Sequence, residues 1–284
     1  GQDIGGIGKS TDGGRTWRHV NQGGISLPGV TAGVYTTSEI IAHPTDDDVF
    51  FAAMGVGLYR SDDVGETWTR LIPDDPLDVS VLPMSWLAFS PVTPGLALAG
   101  SGDWHEPDIG FGIYRSTDDG NSFTKIAAAG IPAAAVITAI AFDPADGSAF
   151  AATSAGLFRS TDSGDSFTKL GFAFRHDQGQ WIGIGGSAEQ RTFWYVLQTF
   201  GEEGNEANWS GGVYRSNDGV SWTEIDSVPR FLADTDEILR AMGSRLHPAN
   251  AEILYHNLRT NEGLGGTYRY DGAWTNLTAG FLED

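Results

Sequence analysis

One short polar motif recurs along the chain and constrains its fold more than any other feature. "KSTDGGRTW" (9–17) returns as "YRSDDVGETW" (59–68), "YRSTDDGNSF" (114–123), "FRSTDSGDSF" (158–167) and "YRSNDGVSW" (214–222), with a reduced copy, "YRYDGAW", at 268–274. The closing aromatics Trp17, Trp68, Phe123, Phe167, Trp222 and Trp274 are separated by 51, 55, 44, 55 and 52 residues. A period of this length, sustained from end to end, marks a repeat architecture.

Each unit carries the same four strand signals. In the shortest, "ITAIAFDP", "SAFAATS", "GLFRSTD" and "DSFTKL" are apolar, β-branched or aromatic runs punctuated by Gly, Asp and Pro. Sustained 3.6-residue periodicity is absent, which argues against helices. Four-stranded units of this length, arranged radially, predict an all-β propeller of about six units, the first of them incomplete. The expected units are about 1–20, 36–71, 85–126, 137–170, 180–225 and 238–277 of a single domain spanning 1–284. The first unit lacks its two inner strands, so either the chain is part of a longer protein or a partner supplies them. The first alternative is favoured. The motif itself has a local logic. Its Asp side chain can accept bonds from backbone N–H groups of a hairpin turn whose Gly takes a positive φ. Asp12, Asp63, Asp118, Asp162 and Asp218 are therefore assigned to turns.

Composition narrows the partners. A formal net charge of −20 opposes nucleic acid or an anionic membrane surface, both of which need clustered Lys and Arg. With no Cys, the chain has neither a disulfide framework nor a thiolate metal site. No apolar run approaches the roughly 18 residues of a membrane-spanning helix, so membrane insertion is not expected.

Strand order sorts the loops onto two faces. The motifs join third to fourth strands on one face. Long second-to-third and fourth-to-first connections share the other, including "SGDWHEPDIGFG" (101–112), "TFGEEGNEANWSGG" (199–212) and "GFAFRHDQGQ" (171–180). Asp3, in "DIGG" before the first motif, falls on that second face. Long loops on a rigid scaffold are where binding concentrates. Carboxylates gather there with aromatics, the pairing that a sugar-binding cleft uses. Trp104, His105, Glu106, Trp181 and Trp209 are the candidate substrate contacts. Asp103, Glu106 and Asp108 offer oxygens for Ca2+. Their spacing matches no EF-hand or zinc pattern, and a solvated loop is the alternative, so no metal or other cofactor is assigned.

The repeated motif resembles the Asp-box, or BNR, repeat of a group that includes sialidases, xyloglucan-active endoglucanases, sortilin-type receptors and photosystem assembly propellers. The resemblance spans essentially the whole chain and implies a propeller in which the box is structural. A sialidase would need three Arg converging on its substrate. Here Arg60, Arg115, Arg159, Arg215 and Arg269 occupy one repeated position and read as scaffold. The chain looks most similar to the N-terminal propeller of xyloglucanase-type endoglucanases, which carry Asp-Ile-Gly-Gly before the third strand of the first blade. "AMGSRL" (241–246) is similar to their "MG-x-R-L" blade, with Met242, Gly243 and Arg245 in matching places. That resemblance implies a secreted or surface glycoside hydrolase acting on β-glucan or xyloglucan, periplasmic placement being an alternative, with Asp3 as general base. In that family the catalytic acid lies on a second propeller, which this chain lacks. The rival expectation is a non-catalytic module that binds glycan or protein, or assembles through the open blade.

Overall fold

The computed structural model describes residues 7–20, 37–71, 82–102, 109–200, 210–225, 240–259 and 265–278. They form strands, turns and irregular loops, with no helix among the described residues. β1 (Gly8–Lys9) and β2 (Arg18–His19) pair as a two-stranded sheet. Five four-stranded antiparallel blades follow, each a simple meander. The first holds β3 (Thr37–Ala42), β4 (Phe50–Met54), β5 (Gly57–Ser61) and β6 (Thr69–Arg70). The second holds β7 (Met84–Phe89), β8 (Ala97–Ser101), β9 (Ile113–Ser116) and β10 (Thr124–Ile126). β11 (Ile137–Phe142), β12 (Ala149–Thr153), β13 (Gly156–Ser160) and β14 (Thr168–Lys169) make the third. β15 (Gly179–Gly186), β16 (Arg191–Phe200), β17 (Ser210–Ser216) and β18 (Thr223–Glu224) make the fourth. The fifth comprises β19 (Arg240–His247), β20 (Asn250–Arg259), β21 (Gly265–Tyr270) and β22 (Trp274–Asn276).

Of the roughly six expected units, five are full blades and the first, expected to be incomplete, is not a blade among the described residues. The first motif copy supplies only a two-stranded sheet, so five full blades stand among the described residues.

The core lies between blades rather than within them. Val49, Phe51 and Leu58 of the first blade pack with Leu82, Leu87, Tyr114 and Phe123 of the second. Leu96, Leu98 and Ile113 of the second pack with Ile140, Phe142 and Phe158 of the third. A blade's second strand is consequently covered on both faces, as β8 and β12 are along their whole length. That explains why "ALAGS" and "AFAAT" read as continuous small apolar runs instead of alternating. Alanines let neighbouring sheets approach, and Phe51 and Phe150, each at most 1% exposed, fill the wider gaps. Full burial of one such ring contributes about 2–3 kcal/mol.

The first strands β3, β7, β11, β15 and β19 adjoin in succession and form the inner wall. Each carries a register shift at its second or third residue, leaving Ser38, Ser85, Thr138, Gln180 and Met242 as the bulged positions. Two of these reach the next blade. Ser85 Oγ donates to the Ile137 carbonyl. Thr138 Oγ1 bonds the Ala152 carbonyl of its own blade at 3.0 Å and the Gly179 carbonyl of the next at 2.9 Å.

The third-to-fourth hairpins share one hydrogen-bond network. Ser10, Ser61, Ser116 and Ser160 donate through Oγ to the Asp two residues on, at 2.7–2.8 Å. Asp12, Asp63, Asp118 and Asp162 accept the backbone N–H of Thr16, Thr67, Ser122 and Ser166 on Oδ1, and the same residues' hydroxyls on Oδ2. The fifth-copy hairpin is one residue shorter, and Asp218 Oδ1 accepts from Val220 and Ser221 instead. Positive φ is taken by two successive residues: Gly13 and Gly14, Val64 and Gly65, Asp119 and Gly120, Ser163 and Gly164. The repeated basic residue ties blades together. Arg60 donates to the Asp119 carbonyl at 3.1 Å, and Arg115 to Ser163 O at 3.2 Å and Asp165 at 2.7 Å.

Candidate functional site

Strand direction sets the hairpins on one face and the starts of the inner strands on the other. Asp3, Asp103, Trp104, His105, Glu106, Asp108 and Trp209 all lie outside the described residues. Trp181 does not stay exposed. It sits opposite Val196 in β15–β16, 5% exposed within the core of the third to fifth blades. The bulge at Gln180 shifts the alternation just before it and turns the indole inward, so Trp181 is a packing residue rather than a stacking platform.

The connection 171–178 is also folded down. Phe174 meets Tyr195, Tyr214 and Trp222 at centroid distances of 4.8, 5.0 and 5.8 Å. Arg175 pairs with Glu224 at 2.7 Å, and Asp177 with Lys169 at 2.8 Å. His176 Nδ1 accepts the Gln178 N–H at 3.1 Å, and burial holds its imidazole below the usual range. This loop is a strap over the fourth blade.

The repeated arginines do not converge. Arg159 binds Asp146 and Ser148, Arg215 pairs with Glu252 beside the Trp194 ring, and Arg269 pairs with Asp271. No group of three His, Cys, Asp or Glu among the described residues is arranged to hold a metal ion. Ser244 Oγ and His256 Nδ1 are 2.9 Å apart, but His256 is buried and its pKa falls to about 4, so the imidazole is neutral at pH 7.

Side chains from three inner strands do meet. Arg245 of β19 pairs with Glu39 of β3, and its guanidinium carbon lies 5.3 Å from the centre of the Trp86 ring on β7. Its Nη1 donates to the Ser244 carbonyl at 2.8 Å. The Glu39 side chain is 10% exposed, that of Arg245 55%. Burial pushes the Glu39 carboxyl above the usual range, and the charge and hydrogen bond of Arg245 offset that only in part. Glu39 and Trp86 occupy the same register position, just past the bulge at the start of their strands. They therefore lie toward the face of the long connections.

Glu39 was not singled out from the sequence, although a signal existed. The equivalent positions in sister blades are Trp86, Ala139, Trp181 and Gly243, so Glu39 is the one carboxylate in the set.

No family model matches this sequence. A xyloglucanase from Paenibacillus sp. is 26% identical over 142 residues, which cover 44% of this chain and 13% of that protein. The structure resembles that of the GH74 xyloglucanase from Xanthomonas campestris, with a TM-score of 0.68 at 18% identity, covering 97% of this chain and 42% of that one. It also resembles the extracellular domain of a hybrid two-component system from B. thetaiotaomicron, with a TM-score of 0.58 at 13% identity, covering 95% of this chain and 31% of that one. The chain thus spans well under half the length of each protein. These similarities establish a β-propeller fold like that of the GH74 xyloglucanases.

Proposed function

We propose that this chain is an Asp-box propeller of a polysaccharide-active protein that works outside the cell on a β-glucan of the xyloglucan type. The observation that carries the reading is the 142-residue match to a xyloglucanase. The common hydrogen-bond network of the hairpins supports the Asp-box assignment. The extracellular domain among the similar structures supports the location.

In the catalytic form of this reading, Asp3 draws a proton from water as general base. A carboxylic acid on a second propeller protonates the leaving oxygen. The two carboxyl groups would stand about 6.5–9.5 Å apart, leaving room for the water. Trp104, His105, Glu106 and Trp209 would contact the glycan.

The test is cleavage of xyloglucan by the full-length protein, followed by reducing-end release. Asp3→Ala is expected to lower turnover by about 10²–10⁴-fold, the range for a general base, with an unchanged melting temperature. Turnover equal to that of the parent would overturn the catalytic role. A protein that binds xyloglucan without cleaving it would be a glycan-binding module instead.

A further inference from the structure

The pair at the inner wall is incompletely used by the protein. Glu39 accepts from Arg245 on Oε2 alone, and Oε1 has no hydrogen-bond partner among the described residues. Arginine has five N–H donors. Arg245 spends donors on Glu39 and the Ser244 carbonyl, while its side chain stays 55% exposed. An acceptor and several donors are thus held side by side in fixed orientation, next to a partly exposed indole.

The chemistry that fits is a vicinal diol carried on an apolar ring face. One hydroxyl would donate to Glu39 and its neighbour would accept from Arg245, with the sugar C–H face beside the partly exposed Trp86 indole. Few polar groups at fixed positions beside apolar surface are the usual makeup of a small-molecule site. Because the carboxylate is nearly buried, a second hydrogen-bond partner is worth more to it than it would be in water.

Charge selects among sugars. Glu39 and Arg245 cancel each other, and the chain as a whole carries −20. A sugar carboxylate would compete with Glu39 for the guanidinium against that background, whereas a neutral sugar would not.

We infer that Glu39, Arg245 and Trp86 form a saccharide subsite at the mouth of the inner wall, selective for neutral pyranoses over uronates. The subsite rests on the polysaccharide reading above and adds the residues that would hold the sugar.

Binding is measured by calorimetry at pH 7 on the full-length protein carrying Asp3→Ala, which is expected to slow turnover. The probes are a neutral xyloglucan oligosaccharide and an oligogalacturonide of similar length. Glu39→Gln, Arg245→Lys and Trp86→Phe are each expected to weaken the neutral probe about tenfold. The galacturonide is expected to bind at least tenfold more weakly than the neutral probe. Arg245 is mostly exposed, so Arg245→Lys keeps the test open if Glu39→Gln fails to fold. Direct contact, as opposed to loosening of the wall, is read from the indole N–H resonance that Trp86→Phe removes, which must shift on titration. If the neutral probe binds and all three variants match the parent, the subsite is wrong and the polysaccharide reading stands. If the parent binds neither probe, the polysaccharide reading falls and the subsite with it. Tighter binding of the galacturonide would overturn the selectivity.

Discussion

Left-handed backbone at the hairpin tips is where single residues decide stability. Gly120 has φ of +74°, and a Cβ placed there would come within 2.6 Å of the Phe51 ring in the neighbouring blade. Gly14 has a similar φ of +86°, but its nearest obstacle is Trp17 at 3.8 Å. Both substitutions to Ala meet the left-handed penalty of about 1–2 kcal/mol. Only Gly120→Ala adds overpacking, about 1–3 kcal/mol more. Chemical denaturation is expected to rank Gly120→Ala well below Gly14→Ala, and equal losses would mean that the inter-blade contact yields freely. The hairpin carboxylates carry a pH signature as well. Hydroxyl donation by Thr16, Thr67 and Ser166, followed by their backbone N–H groups, lowers Asp12, Asp63 and Asp162 to about 2 from 3.8. Folded-state pKa values below the unfolded ones give stability that is present above pH 3.8 and lost as pH falls toward 2. The gap in melting temperature between the parent and Asp162→Asn should therefore be widest above pH 4 and close toward pH 2. A pH-independent gap would show that the ionised form is not what the hairpin holds. At this scale the Ser-x-Asp-x-Gly spacing is readable because its bonds are local. Glu39 and Trp181 were less legible, since a bulge one residue earlier resets which way each points.

Among the elements, two of the inner strands are linked to the next by side chains at their bulges. Thr138 bridges the third and fourth blades because the bulge frees its hydroxyl from strict alternation and aims it at the Gly179 carbonyl. Thr138→Val keeps volume and branching while removing both hydroxyl bonds, at a cost of about 1–3 kcal/mol. Urea unfolding followed by tryptophan fluorescence measures it. A loss below about 0.5 kcal/mol would mean that the bulge holds its shape without the rung. The four-strand pattern was legible because apolar runs, Gly and Pro mark strand ends within a few residues of where they form. The bulges were not legible. The one at Thr138 answers to a carbonyl on the next blade, about 40 residues away in sequence, and no local period records it. The incomplete first unit was legible in the same way as the strand pattern. A motif copy guarantees a hairpin, whereas a blade also needs two inner strands to pair with it.

For the molecule as a whole, the question is what holds the two-stranded sheet in place. Lys9 occupies the motif position of Arg60 and Arg115. It pairs at 2.6 Å with Glu66, which stands in its hairpin where Asp165 stands in the hairpin that Arg115 reaches. Arg18 joins the same carboxylate. Ile7 and Val20 pack against Ala52, Met54 and Tyr59. The sheet therefore sits against the first blade as the outer half of a blade would, and among the described residues a small apolar contact and one shared carboxylate help to hold it there. Hydrogen bonding from Arg18, then from Lys9, lowers the Glu66 pKa from 4.5, so this pin is present above pH 4.5 and weakens as pH falls below it. Glu66→Gln should raise amide exchange at Lys9 and Arg18 severalfold at pH 7 while Leu58 and Tyr59 keep their protection, because the inter-blade core is untouched. The ratio of variant to parent exchange should then shrink toward one as pH is lowered through the titration of Glu66. Uniform loss of protection across the first blade would instead mean that the sheet and the blade open together, and that Glu66 supports the ring rather than its edge.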